Sequence, residues 1–167
     1  MLIDRTKLLE QAGCTVNGIA CNTAHLLLPY LQAVTNVPFL SIPRLIAERS
    51  IAAGYERVGL LATPTTLEST LYDEALNGIT EIERPNAEFA DQIEQYIYKQ
   101  LNSCLRISER EAFRLAVSKF MDDRQLDAVI LGCTELPLVY GETNNVNILD
   151  TLQVLCDGLL KEYFMRR

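Results

Sequence analysis

Short apolar runs alternate along this chain with longer stretches whose apolar residues recur at helical spacing. Runs at 58–62 and 127–131 read as buried strands, and shorter extended pieces fall at 16–20, 37–42, 79–82 and 146–149. Pro38 and Pro43 stand at the edges of the second of these shorter pieces. Helical spacing appears over 2–12, ending at Gly13, and over 45–53, stopping at Gly54. Thr63-Pro64 reads as an N-cap with proline in the first turn of a helix that runs to Leu76 and stops at Asn77-Gly78. Phe89, Ile93, Tyr96, Ile97 and Leu101 form one apolar stripe, and Phe113, Ala116, Val117, Phe120 and Met121 form another. The stretch 23–32 is a helix interrupted by Pro29, and a short helix after Thr134 is cut by Pro137. Leu152, Leu155, Cys156, Leu159, Leu160 and Phe164 line a C-terminal helix.

Strands that are short and continuously apolar, each followed by a helix, predict an α/β fold. Its parallel sheet is covered by helices on both faces. In such folds ligands bind beyond the carboxyl ends of the strands. Cys21, Thr63 and Cys133 all fall at that edge.

Composition narrows the field. The chain has 167 residues, 49% of them hydrophobic, which suits one ordinary domain or two small ones. Its net charge of −7 argues against nucleic acid, and no apolar run is long enough to span a membrane. No signal-peptide pattern opens the sequence. The five cysteines are spread singly, with no CxxC pair for a zinc ribbon or a thioredoxin-type site. Free thiols in a reducing, cytoplasmic compartment are expected, with no metal.

Two segments echo one another: Gly18-Ile19-Ala20-Cys21-Asn22-Thr23-Ala24-His25 and Ile130-Leu131-Gly132-Cys133-Thr134-Glu135-Leu136. Each places a cysteine where a strand hands over to a helix. Unpaired N–H groups there favour a thiolate and can bind a carboxylate. Asn22, Thr23, Thr63 and Thr134 add uncharged donors, and Glu135 and His25 are candidates to tune the two thiols. Two thiols facing each other across a cleft suit removal of a proton from one face of a carbon and its return to the other. The plainer reading stands beside this one. Cysteine is often simply buried, as Cys14, Cys104 and Cys156 are taken to be. Thr and Asn cap helices, a single histidine is commonly structural, and Glu135 complements a helix dipole.

The wording of the two cysteine segments resembles the signature segments of the aspartate/glutamate racemase family, most closely aspartate racemase. Val58-Gly59-Leu60-Leu61-Ala62-Thr63-Pro64-Thr65-Thr66, with Ser69 and Tyr72, is similar to that family's second-domain entry, and Ile148-Leu149-Asp150-Thr151 to its last strand and turn. The resemblance implies two similar Rossmann-like α/β domains. Residues 1–44 plus 143–167 would form an incomplete first domain and 45–142 the second. It implies a homodimer that needs neither PLP nor any other cofactor. Cys21 and Cys133 would act as the two proton-transfer groups on an amino-acid substrate, with Asn22, Thr23, Thr63 and Thr134 holding it. Interconversion of L- and D-aspartate is the expected reaction. A maleate isomerase or hydantoin racemase is the alternative within the superfamily, and an inactive truncated remnant the alternative outside catalysis. The family's opening strand, Gly-rich loop and side-chain-binding arginine have no counterpart after Met1. The basic residue expected near the end of the 89–101 helix is reduced to Lys99, with Arg44 as a substitute.

Overall fold

The computed structural model describes residues 1–142 and 145–165. In chain order, helix α1 (Leu2–Gln11) leads to strand β1 (Asn17–Gly18), a 3-10 turn (Thr23–Leu27) and α2 (Leu28–Gln32). Next come β2 (Phe39–Leu40), α3 (Ile42–Ala53), β3 (Arg57–Leu61), α4 (Pro64–Glu68), α5 (Leu71–Leu76) and β4 (Glu81–Glu83). The chain continues through α6 (Ala87–Leu101), α7 (Ile107–Arg124), β5 (Ala128–Leu131), α8 (Leu136–Tyr140), β6 (Ile148–Asp150) and α9 (Thr151–Met165). Among the described residues the strands form two wholly parallel sheets: β1 with β2, and a four-stranded sheet in the order β4-β3-β5-β6.

From Val58 in β3 and Ala128 in β5 the central strands carry no polar side chain, because both faces of their sheet are covered. Val58, Leu60, Ala62, Ala128 and Ile130 point into one core, with Ile42, Ile46, Tyr72, Leu76 and Leu155. Leu61, Val129 and Leu131 point into the other, with Ile93, Ile97, Phe113, Val117 and Phe120. Helices α3, α5 and α9 thus cover one face and α6, α7 and α8 the other. Burying side chains of this size contributes roughly 1.5–3 kcal/mol apiece. The stripes expected on α6 and α7 are the faces that do it, apart from Leu101, which is exposed.

Several elements differ from the expected ones for local reasons. Helix α3 begins at Ile42, because Pro43 fits a first turn entered from an extended Ser41. It ends at Gly54, whose φ of 70° makes the left-handed cap. The single helix expected over 64–76 is two. Ser69 is extended, and its hydroxyl donates to the Thr66 carbonyl at 2.8 Å, taking an acceptor that a continuing helix would use. The stretch 23–32 is a 3-10 turn followed by a short helix with Pro29 in its first turn. At the C-terminal end, β6 pairs with β5, while α9 packs on α3 and β2. One segment therefore spans both sheets. The boundary expected at 142–143 falls beside residues 143 and 144, which lie outside the described ones.

His25 fastens the 3-10 turn to α3. Ile42 N–H donates to its Nε2 at 3.0 Å, so that nitrogen is unprotonated. Its Nδ1 donates in turn to the Cys21 carbonyl at 2.8 Å. Burial lowers its pKa and outweighs the backbone carbonyls that favour the charged ring.

The pH dependence follows from that neutral ring. A folded pKa below the unfolded value gives stability that is complete above about 6.5 and lost as pH falls toward the folded value. Thermal melts between about pH 7.5 and about pH 5 should show a larger loss for the wild-type protein than for His25→Gln. Parallel losses would refute the clamp. A second test lies at Gly132, where a Cβ would meet Leu60 Cδ1 at 2.9 Å, and Ala62 Cβ and the Leu61 carbonyl oxygen at 3.2 Å. Two of those neighbours have no rotamer to give, so Gly132→Ala should cost roughly 1–3 kcal/mol in chemical denaturation. A neutral result would mean the strand end moves freely.

Candidate functional site

Three strand ends and one loop converge. Thr63 follows β3, Cys133 follows β5, Thr151 follows β6, and Cys21 lies three residues beyond β1. Cys133 is buried, whereas Cys21 is exposed. The Cys133 thiol donates to Glu135 Oε2 at 2.9 Å, and the Thr134 hydroxyl donates to the same oxygen at 2.8 Å. Burial, above all, pushes the Cys133 thiol up, and the adjacent Glu135 carboxylate pushes it further, to about 12. Cys21 also raises it, which places the two sulfurs within electrostatic reach of each other. Burial works to raise Glu135 too, but the hydrogen bonds from Cys133 and Thr134 outweigh it, and its carboxyl lies below the usual value. The proton therefore resides on sulfur.

At Cys133 this reverses the expectation that a helix N-terminus would acidify the thiol. Neither cysteine is followed by a long helix. Cys21 precedes a five-residue 3-10 turn, and Cys133 precedes five-residue α8. At Cys133 desolvation and a neighbouring anion prevail over whatever dipole so short an element supplies.

A second group consists of hydroxyls. Thr23 Oγ1 lies 2.7 Å from Thr66 Oγ1 and 3.4 Å from Thr63 Oγ1, and Thr63 donates to Thr66 at 3.2 Å. Sequence reasoning paired Thr23 with Thr63 but assigned no role to Thr66, which is buried between them. The signal available was its position three residues after the Thr63 N-cap, one helical turn along the same face.

Asn22 forms the third group. Its side chain is buried: Tyr72 donates to Oδ1 at 2.5 Å, and Nδ2 donates to Thr151 Oγ1 at 3.0 Å. Thr151 in turn donates to the Leu131 carbonyl at 2.9 Å. Burial alone drives the Tyr72 phenol far above its ordinary pKa, so it serves as a neutral donor. The sequence names Tyr72 and Thr151 only as parts of segments resembling the family and gives neither a role at the site. His25 reaches the backbone of Cys21 rather than its sulfur.

The two candidate carboxylate anchors lie elsewhere. Lys99 is paired with Glu109 at 2.6 Å, and Arg44 is exposed on α3. A cavity of about 740 Å3 opens beside α8, β6 and α9, and neither Cys21 nor Cys133 lines it. Among the described residues no group of three His, Cys, Asp or Glu side chains is placed to hold a metal ion, and no helix is long and apolar enough to cross a membrane.

The arrangement has relatives. A glutamate racemase of Shewanella oneidensis is 25% identical over 153 residues, covering 84% of this chain and 51% of that protein. The crystal structure of an aspartate racemase homologue from Pyrococcus horikoshii superposes with a TM-score of 0.83 at 29% identity, covering 95% of this chain and 71% of that one. The aspartate racemase of Picrophilus torridus superposes with a TM-score of 0.74 at 27% identity, covering 93% and 65%. The chain thus spans about half the length of the glutamate racemase it matches. The family model for Asp/Glu/hydantoin racemases matches residues 1–158, nearly the whole sequence, and the chain belongs to that family.

Proposed function

We propose that this chain is a PLP-independent racemase of an acidic amino acid, interconverting L- and D-aspartate by proton transfer through Cys21 and Cys133. The observation that carries the reading is the contrast between a buried Cys133 thiol that donates to Glu135 and an exposed Cys21 in the echoing segment. Cys133 is held as a thiol by burial and by Glu135, which makes it the proton donor of the resting site. Cys21, exposed and lacking such a neighbour, is then the base.

In one direction the Cα–H bond breaks and its proton passes to the Cys21 thiolate. The electron pair left on Cα is shared with the substrate carboxylate. The Cys133 S–H bond then breaks, and its proton joins Cα from the opposite face. The Thr23–Thr63–Thr66 hydroxyls supply uncharged donors for the substrate's carboxylate, while the Thr134 hydroxyl stays on Glu135. Aspartate is chosen over glutamate because the aspartate racemase and the aspartate racemase homologue superpose with TM-scores of 0.74 and 0.83, above the 0.61–0.66 of solved glutamate racemases, although the matched Shewanella protein is a glutamate racemase.

Proton exchange tests this directly. In D2O the wild-type protein should place deuterium at Cα of aspartate while its optical rotation decays. Cys21→Ser and Cys133→Ser should each slow racemisation by at least about a hundredfold, the usual worth of a positioned proton-transfer group. Absence of exchange with either enantiomer of aspartate and of glutamate would overturn the reading, and exchange with glutamate alone would overturn the choice of substrate. A second measurement addresses Glu135. Replacing it by Gln removes the anion beside Cys133, and alkylation of Cys133 by iodoacetamide near pH 8 should accelerate by roughly tenfold, the thiolate gained per unit of pKa. An unchanged rate by peptide mass spectrometry would mean that burial alone holds the proton.

A further inference from the structure

The hydrogen bonds around Asn22 run in one direction only, and the reason lies in the backbone. The Leu131 carbonyl can only accept, so the Thr151 hydroxyl spends its single hydrogen on it. Thr151 Oγ1 is then limited to accepting, so the Asn22 atom facing it is the amide nitrogen. That turns Asn22 Oδ1 toward Tyr72, whose phenol must donate. Tyr72 and Thr151 are fully buried and Asn22 nearly so, so no water-facing alternative competes with this order.

Two members of this chain of bonds are informative. Asn22 is covalently next to Cys21, and Leu131 lies two residues before Cys133. The bonds therefore link one cysteine segment to the other through the start of α9, and Tyr72 of α5 fastens the Asn22 side. They do so with polar groups in a core where apolar side chains would otherwise pack. We propose that Tyr72 and Thr151 are positioning residues for proton transfer: through Asn22 they fix the Cys21 segment against the end of β5 and so set the relation of the two thiols. Neither touches the reacting atoms. The inference deepens the racemase reading and rests on it for its kinetic arm. Its geometric arm, the placement of the two sulfurs, stands without it.

Three variants separate positioning from mere stability. Tyr72→Phe keeps the ring and removes the donor. Thr151→Val keeps the shape and removes the hydroxyl, and Thr151→Ser restores it. In racemisation of aspartate, Tyr72→Phe and Thr151→Val should lower kcat by about tenfold to a hundredfold with KM changed by less than about threefold, as expected when alignment rather than binding is lost. Thr151→Ser should return kcat to within about threefold of wild type.

The second readout is cross-linking of Cys21 to Cys133 by dibromobimane, in a protein carrying Cys14→Ser, Cys104→Ser and Cys156→Ser. The wild-type pair and Thr151→Ser should bridge readily, and Tyr72→Phe and Thr151→Val markedly more slowly. All rates are compared well below each variant's Tm. If Thr151→Val does not fold, Tyr72→Phe decides alone. Wild-type rates of turnover and cross-linking in Tyr72→Phe, with only its Tm reduced, would overturn the proposal and leave the bonds a purely structural role. Failure of the wild-type pair to cross-link would overturn it as well. Slowed cross-linking in a protein that racemises neither aspartate nor glutamate would uphold the positioning and discard the racemase reading.

Discussion

A backbone carbonyl can only accept a hydrogen bond, and at Leu131 that restriction reaches well beyond the strand it ends. It orients the Thr151 hydroxyl, which orients the Asn22 amide, which obliges Tyr72 to donate. Four residues far apart in sequence are brought into one order. They come from the segment after β1, from α5, from the end of β5 and from the first residue of α9. A buried amide with one end unpaired costs about 1–3 kcal/mol, so each link holds the others in place. Among the described residues the two-stranded sheet and the four-stranded sheet share no strand pairing. The Asn22 bonds and the packing of α9 on β2 are among the contacts that join them.

The main sheet does the rest of the positioning. Its strands run parallel, so the carboxyl ends of β3, β5 and β6 open on the same edge. The residues that follow, Thr63, Cys133 and Thr151, come from separate stretches of sequence yet emerge together there. Tight packing at Gly132 matters for the same reason: the turn that delivers Cys133 passes so close to Leu60, Ala62 and the Leu61 carbonyl that a side chain would displace it.

Much of this was legible in the sequence, for a physical reason. A strand buried on both faces must be apolar throughout, as 58–62 and 129–131 are, and a helix covering one face must carry a single stripe, as α6 and α7 do. The short outer strands were overestimated, because a run such as 16–20 reads as extended whether or not a partner strand reaches all of it. The broken helix at Ser69 escaped notice because it depends on which carbonyl a serine hydroxyl chooses. At the site, Cys133, Thr134 and Glu135 are consecutive or nearly so, and their mutual contact follows from one short motif. The roles of Thr66, Tyr72 and Thr151 were missed because each residue acquires meaning only from a partner more than forty residues away or across two elements.

The state of the thiols shows most clearly what spacing cannot supply. A cysteine after a strand and before a helix suggests acidity, yet Cys133 is held firmly protonated. The decisive group is Thr134. Its hydroxyl donates to the same Glu135 oxygen that accepts from Cys133, so that oxygen receives two donors at once. A carboxylate stabilised in this way has little tendency to take the sulfur's proton, and its charge then makes loss of that proton costlier still. Without the Thr134 hydroxyl, Glu135 would lose one of its donors and its own burial would count for more, which weakens the bias toward S–H. The unequal setting of the two cysteines is thus built from one threonine and one glutamate beside one of them, while the other stays exposed.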